Sequence, residues 1–447
     1  MEYFGMYLFK FSTLTLALTL TTTTTFASPI DALFQQKLLQ KQTLSAQENL
    51  AIVEEKFPQR IDHQSLDLGT FSQRYFVDES FAKNNDNAPV FLFLCGEASC
   101  DKRLLLGNMR VLAEKFHAKL IALEHRYYGI SWPTKNFSVK ELQYLNTDNA
   151  LKDIAYFKEH ITEKKHWNGK WVIFGGSYSG SLAAYFRAQY PNHVVGAISS
   201  SAPVQVRENF ADFDAKVTEV VGSECANNMR LSIQQIEAAQ ADPDRMRQIK
   251  KQFSSEAVVD DVDFLGLVSD LGGGAIQYGM TDLFCGMLAK SRNPLDGYAQ
   301  FVNYALMFLN IKAVQLTPQG ALSENPADYN AALGMRQWRY QDCTEYGYWP
   351  YAHSNSSQST RSTYLDEEYY RKLCKRVFGI EQPANTQYIM DKFYKPLLDE
   401  TTSHIYFLNG EYDPWTALSL TNATHNTNNN LNYFLIEKGS HCTDIKH

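Results

Sequence analysis

Three residue types that together can carry out acyl transfer lie far apart in the chain but in a definite order. They are a serine in F-G-G-S-Y-S-G at 174–180, an aspartate in N-G-E-Y-D-P-W at 409–415 and a histidine in K-G-S-H-C at 438–442. A serine hydroxyl attacks a carbonyl only when a base takes its proton and a third group orients that base. Ser177, His441 and Asp413 suit those roles as nucleophile, general base and orienting acid. The glycine turn offers two serines, and neither meets the pattern G-x-S-x-G: Ser177 has Gly175 before it but Ser179 after it, and Ser179 has Ser177 where glycine belongs. W-V-I-F before the turn is strand-like and S-L-A-A-Y-F-R-A-Q-Y after it is helix-like, which puts Ser177 at the bend and Ser179 in the first helical turn. Ser177 is therefore the expected nucleophile.

Each of these residues needs an element to hold it. Asp413 follows the apolar run H-I-Y-F-L-N-G and His441 follows L-N-Y-F-L-I-E-K-G, so both lie just beyond the C-terminal ends of strands, where open α/β sheets place their sites. Further strand-like runs are T-F-S-Q-R-Y-F-V from 70, P-V-F-L-F-L-C-G from 89, K-L-I-A-L-E-H-R from 119 and V-V-G-A-I-S-S-S from 194. Helix-like N-M-R-V-L-A-E-K-F-H and N-A-L-K-D-I-A-Y-F-K lie between them. Strand alternating with helix predicts an α/β fold with a mostly parallel sheet, and serine, acid and histidine in that chain order are those of an α/β-hydrolase. From 205 to 395 the pattern turns to helical segments such as A-K-V-T-E-V-V-G and M-R-Q-I-K-K-Q-F, so a helical cap is expected between sheet segments 29–204 and 396–447. The asparagine-rich stretch near 422 is expected to be a solvated loop.

Composition narrows the function classes. In 447 residues, 42 basic against 49 acidic side chains give a net charge of -7 with no basic stripe, which excludes a nucleic-acid partner. Residues 1–28 have one lysine, a Leu- and Thr-rich apolar run and small residues around Ala27, the layout of a secretory signal peptide. No later run is long enough for stable membrane insertion, so the expected location is outside the cell, in a periplasm or in a lysosome-like compartment. The seven cysteines are then disulfide candidates. With no C-x-x-C pair and no histidines beside them, neither a metal nor a cofactor is expected. The oligomeric state stays open, a homodimer included.

The motifs L-E-H-R-Y-Y-G-I-S-W-P (123–133), Y-L-N-T-D-N-A-L-K-D-I-A-Y-F (144–157), G-G-S-Y-S-G-S-L-A-A-Y-F-R-A-Q-Y-P (175–191), G-A-I-S-S-S-A-P-V (196–204) and W-R-Y-Q-D-C-T-E-Y-G-Y (338–348) also form an ordered set with the aspartate and histidine segments. From about residue 70 onward the chain resembles the serine peptidase family that contains lysosomal Pro-Xaa carboxypeptidase and dipeptidyl peptidase II. The resemblance implies an α/β-hydrolase fold with a helical cap, cleavage of short peptides next to proline, and nucleophile, acid and base at Ser177, Asp413 and His441. It also favours the disulfides Cys343–Cys374 and Cys225–Cys285; Cys95 and Cys100 are close enough in sequence to pair, which leaves Cys442 free. Ser179 stands where the family usually has glycine and Cys442 where it usually has a second histidine.

The oxyanion of an acyl transfer needs two fixed donors. The expected ones are the N–H of Tyr178 and an N–H of Gly96 or Glu97, after the P-V-F-L-F-L-C strand. Trp415 and Ser181 are the family-like candidates for a proline pocket, and the small Ser181 would admit alanine as well. Trp338, Asp342 and Glu345 are the cap's candidates for substrate binding. Their carboxylates would hold a free amine and favour a dipeptidyl or tripeptidyl aminopeptidase over a Pro-Xaa carboxypeptidase. Glu124 and Arg126 are expected to form a structural ion pair. Two other classes use the same residues. An esterase or lipase would cleave a p-nitrophenyl ester and no peptide, and a non-catalytic binding module with a relic triad would leave Ser177 unlabelled by a fluorophosphonate.

Overall fold

The computed structural model describes residues 51–328, 333–423 and 428–445, so the expected signal peptide lies outside the described residues. Eight strands form one sheet in the order β1-β2-β4-β3-β5-β6-β9-β10. They are β1 (Val53–Arg60), β2 (Thr70–Asp78), β3 (Val90–Leu94), β4 (Lys119–Leu123), β5 (Trp171–Gly176), β6 (Gly196–Ser200), β9 (Ile405–Gly410) and β10 (Asn432–Ile436). β7 (Arg207–Asn209) and β8 (Gly347–Trp349) pair separately as a short parallel ribbon. Only β2 runs against its neighbours; from β4 to β10 every pairing is parallel. That order, with a serine on the turn after β5, makes this an α/β-hydrolase fold.

The central strands are apolar at nearly every position because both faces are covered. Leu92, Leu94, Ile121, Leu123 and Ile173 face helices α2 (Thr147–Lys165) and α3 (Tyr178–Gln189) through Leu151, Ile154, Phe157, Leu182 and Phe186. The alternate residues Phe91, Phe93, Leu120, Ala122 and Phe174 face α1 (Asn108–Phe116) through Met109 and Ala113. Besides the short β7 and β8, periodicity did not reveal β1: V-E-E-K-F-P-Q-R is charged and holds a proline, as an edge strand can.

Between β6 and β9 the chain is mainly helical: α4 (Ala211–Ala239), α5 (Pro243–Gln252), α6 (Asp261–Gln277), α7 (Thr281–Lys290), α8 (Pro294–Leu309), α9 (Met335–Gln341) and α10 (Glu367–Phe378). Local chemistry sets several starts. Asp242, Asp260, Asn293 and Asp366 each accept a backbone N–H of the first turn that follows, and Pro243 and Pro294 occupy first helical positions. α4 breaks at Gly222, whose φ of +73° no β-carbon would tolerate easily. Disulfides Cys225–Cys285 and Cys343–Cys374 tie α4 to α7 and the turn after α9 to α10; Cys95–Cys100 closes the loop after β3, and Cys442 is free and buried. Among the described residues no helix is long and apolar enough to cross a membrane.

The asparagine-rich stretch near 422 is not simply solvated. Residues 424–427 lie outside the described set, but Asn428 is buried and donates to the carbonyls of Leu397, Asp399 and Thr402.

Candidate active site

The turn from β5 into α3 holds Ser177 at φ 56°, ψ −127°, a conformation that a serine keeps only when its surroundings enforce it. Its backbone N–H donates to Ser200 O of β6 at 2.8 Å. Gly175 and Gly180 are required by close approach: a β-carbon would lie 2.1 Å from Ser179 O at the first and 2.8 Å from Ser200 O at the second. The two serine hydroxyls differ completely. Ser179 Oγ accepts from Gly176 N at 3.1 Å and donates to Gly176 O at 2.9 Å, so it closes the turn. Ser177 Oγ is buried and has no hydrogen-bond partner among the described residues.

Asp413 follows β9 and His441 follows β10, strands that pair in parallel. His441 Nδ1 lies 2.8 Å from Asp413 Oδ2, while Asp413 Oδ1 accepts the Trp415 N–H at 3.0 Å and caps the short turn after it. The imidazole is further set by its own backbone N–H on Gln277 O at 3.1 Å. Among the described residues His441 Nε2, like Ser177 Oγ, is buried without a hydrogen-bond partner. β6 brings these groups to one edge, since Ser200 O accepts from Ser177 N and Ser201 Oγ accepts from Cys442 N at 2.7 Å. Ser177, Asp413 and His441 are each fully buried, at 0% exposure. Burial opposes a charge on the His441 ring, but the Asp413 carboxylate beside it, with the adjoining Cys442 acting in the same direction, outweighs that and raises its pKa well above the ordinary value.

Tyr178, the first residue of α3, is buried beside Ser177. Gly96 lies against the same turn: a β-carbon there would sit 3.6 Å from Ser179 Cβ. Glu97 is buried, and its carbonyl backs onto Gly334, where a β-carbon would come within 2.6 Å. Ser181 N donates to Ser177 O at 3.0 Å, and its hydroxyl is buried without a partner.

Aromatic rings run unbroken from Tyr178 to His441. Trp338 and Tyr346 each pack edge-on to Tyr178 at 5.5 Å, Tyr346 stacks on Tyr348 at 5.4 Å, Tyr348 meets Trp415 at 5.5 Å, and Trp415 lies 6.4 Å from the His441 ring. Phe210 and Phe213 close the other side of Trp415. Tyr346, Tyr348, Phe210 and Phe213 were not singled out from the sequence, although Y-G-Y-W after Glu345 carried the aromatic signal.

The two cap acids are buried and already engaged. Glu345 accepts from Thr147 N and Oγ1 at 3.1 Å at the start of α2, and burial raises its pKa to about 7. Asp342 pairs with Arg339 at 3.3 Å, keeps Oδ1 without a partner, and is pushed by burial to about 8. The expected Glu124–Arg126 ion pair does not form. β4 ends at Leu123, and the turn that follows sends the two side chains to different neighbours. Glu124 takes Arg74, Ser131 Oγ and the N–H groups of Cys100 and Ile130, while Arg126 holds Asp153 through two bonds of 2.6 and 2.7 Å. Among the described residues no three His, Cys, Asp or Glu side chains group to hold a metal ion.

A family model described as serine carboxypeptidase S28 matches residues 59–447. The chain belongs to that serine peptidase family. It is 31% identical over 386 residues to "Probable serine protease EDA2" of Arabidopsis thaliana, covering 83% of this chain and 76% of that protein. It is 29% identical over 410 residues to thymus-specific serine protease of Mus musculus, covering 85% and 79%. Among solved structures, proline iminopeptidase of Mycobacterium smegmatis aligns with a TM-score of 0.40 at 11% identity, covering 87% of this chain and 92% of that one. The S28 peptidase is thus a hydrolase of the serine type that acts on peptides.

Proposed function

We propose that this S28 peptidase is an exported exopeptidase that cleaves short peptides after proline or another small residue, with Ser177, His441 and Asp413 as its triad. The observation that carries the reading is the pair of buried, partnerless atoms Ser177 Oγ and His441 Nε2, the second on a ring whose Nδ1 is held by Asp413. Ser177 Oγ attacks the scissile carbonyl and its proton passes to His441 Nε2. The N–H groups of Tyr178 and of Gly96 or Glu97 receive the oxyanion. The carbon–nitrogen bond then breaks, with Nε2 returning the proton to the leaving amine. Water repeats the sequence on the acyl-enzyme. Asp413 keeps Nδ1 protonated and stabilises the imidazolium.

The aromatic ring system of Trp338, Tyr346, Tyr348 and Trp415 supports a compact apolar residue before the cut. Residues 205–395 act as the cap over it, and the complete burial of the triad supports short substrates. Asp342 Oδ1, buried and without a partner among the described residues, supports recognition of a peptide's free amine, whose ammonium would take the place of the proton that burial holds on this carboxyl. Three disulfides support an oxidising compartment. Ser177→Ala is expected to lower turnover of a proline-containing tripeptide by about 10⁴-fold or more, with the melting temperature unchanged. Retained turnover would overturn the assignment. Acetylating the substrate's amine is expected to abolish cleavage and amidating its carboxyl to spare it; the opposite result would make the enzyme a carboxypeptidase.

A further inference from the structure

The phenol of Tyr178 sits at the centre of a buried hydrogen-bonded chain that none of the steps above uses. His125 Nδ1 lies 2.8 Å from the carbonyl of Arg126, so that nitrogen carries the proton and Nε2 is an acceptor. Tyr178 Oη, 3.0 Å from His125 Nε2, therefore donates to it. The same oxygen accepts from Gln341 Nε2 at 2.9 Å, and Gln341 Oε1 accepts from Tyr128 Oη at 2.6 Å. His125, Tyr128, Tyr178 and Gln341 are all buried. The base of the chain is rigid, because Arg126 is fastened to Asp153 and to the carbonyls of Arg60, Ile61 and Tyr144. On its flanks the Tyr178 ring is gripped by Trp338 and Tyr346, each at 5.5 Å.

These contacts come from separated parts of the chain. His125 lies just past β4, Tyr178 opens the helix after the nucleophile, and Gln341 is the last residue of α9. We infer that His125 and Gln341 are positioning residues: through the Tyr178 phenol they hold the Tyr178 peptide so that its N–H faces the developing oxyanion, and Gln341 ties that donor to the cap segment. The inference rests on the triad reading proposed above. An oxyanion donor works only at close range and in the right direction, and deleting one lowers kcat by about 10²–10³. Loosening one should lose part of that.

The test uses the full-length enzyme and a good tripeptide substrate. Tyr178→Phe and Gln341→Met are expected to lower kcat about ten- to a hundredfold while KM stays within about twofold, and a peptide aldehyde that forms the tetrahedral adduct should weaken in parallel. The double variant should be no slower than Tyr178→Phe alone, because Gln341 acts through the phenol that Tyr178→Phe already removes. His125→Phe should lose kcat, and His125→Gln, which keeps an acceptor near the place of Nε2, should recover most of it. If Tyr178→Phe keeps its melting temperature and a kcat within about twofold of the parent, or if the loss appears in KM alone, the inference is overturned. The Ser177→Ala result is independent: it decides the triad and leaves the role of the Tyr178 phenol to the other variants.

Discussion

Ser177 and Ser179 stand two residues apart, yet one hydroxyl closes the turn and the other is left with nothing to bond. The hydrogen-bond pattern thus tells apart two serines that the G-x-S-x-G template treats alike. Ser179→Ala removes two bonds to Gly176 and should cost about 1–2 kcal/mol of stability, measured by denaturant unfolding. Fluorophosphonate labelling should persist in that variant and vanish in Ser177→Ala. In the proposed triad His441 sets the acid side of the pH profile. Its ring must be neutral to accept the serine proton, and Asp413 raises its pKa, so protonation silences the base at a higher pH than for an ordinary histidine. The acid limb of kcat/KM is expected above pH 6.5, and a limb below that value would show that Asp413 does not govern the ring.

At the scale of elements, the end of α9 and the turn after it do two jobs by sending their residues to different partners. Gln341 reaches the start of α3, and Glu345 reaches the start of α2, where it meets the Thr147 N–H. A carboxylate at a helix N-terminus is favoured by the exposed N–H groups there, yet burial here wins and lifts Glu345 from 4.5 to about 7. The folded chain therefore holds this proton more tightly than the unfolded chain does. Its stabilising share is complete below pH 4.5 and is lost as pH rises toward 7, a difference of about 3 kcal/mol. Glu345→Gln should flatten the fall in melting temperature between those pH values. A parallel fall in the variant would assign it to other groups. The central strands were legible because apolar runs of five or six residues admit few alternatives once both faces are buried. β1 was not, because an edge strand carries charge on its open side.

Over the whole molecule, the helical segment between β6 and β9 must stay folded for Tyr346 and Tyr348 to reach Trp415 beside His441. Cys225–Cys285 closes 60 residues of that segment. Replacing both cysteines with alanine should lower its stability by about 4 kcal/mol, read by urea unfolding under non-reducing conditions. An unchanged midpoint would mean that packing alone holds α4 on α7.

What the amino-acid sequence determined by itself is local or ordered along the chain: the strand, bend and helix around Ser177, the apolar runs that precede Asp413 and His441, and the ordered set of family motifs. Short-range sterics and hydrophobic periodicity act within a few residues, so they can be read in one dimension. Tertiary structure decided the partners. Arg126 took Asp153 instead of Glu124, Glu345 took Thr147, and His125 and Gln341 met on the Tyr178 phenol across 53 and 163 residues of chain. Which polar groups share a buried space depends on how helices and strands pack, and that is settled only when the whole chain excludes water from its interior.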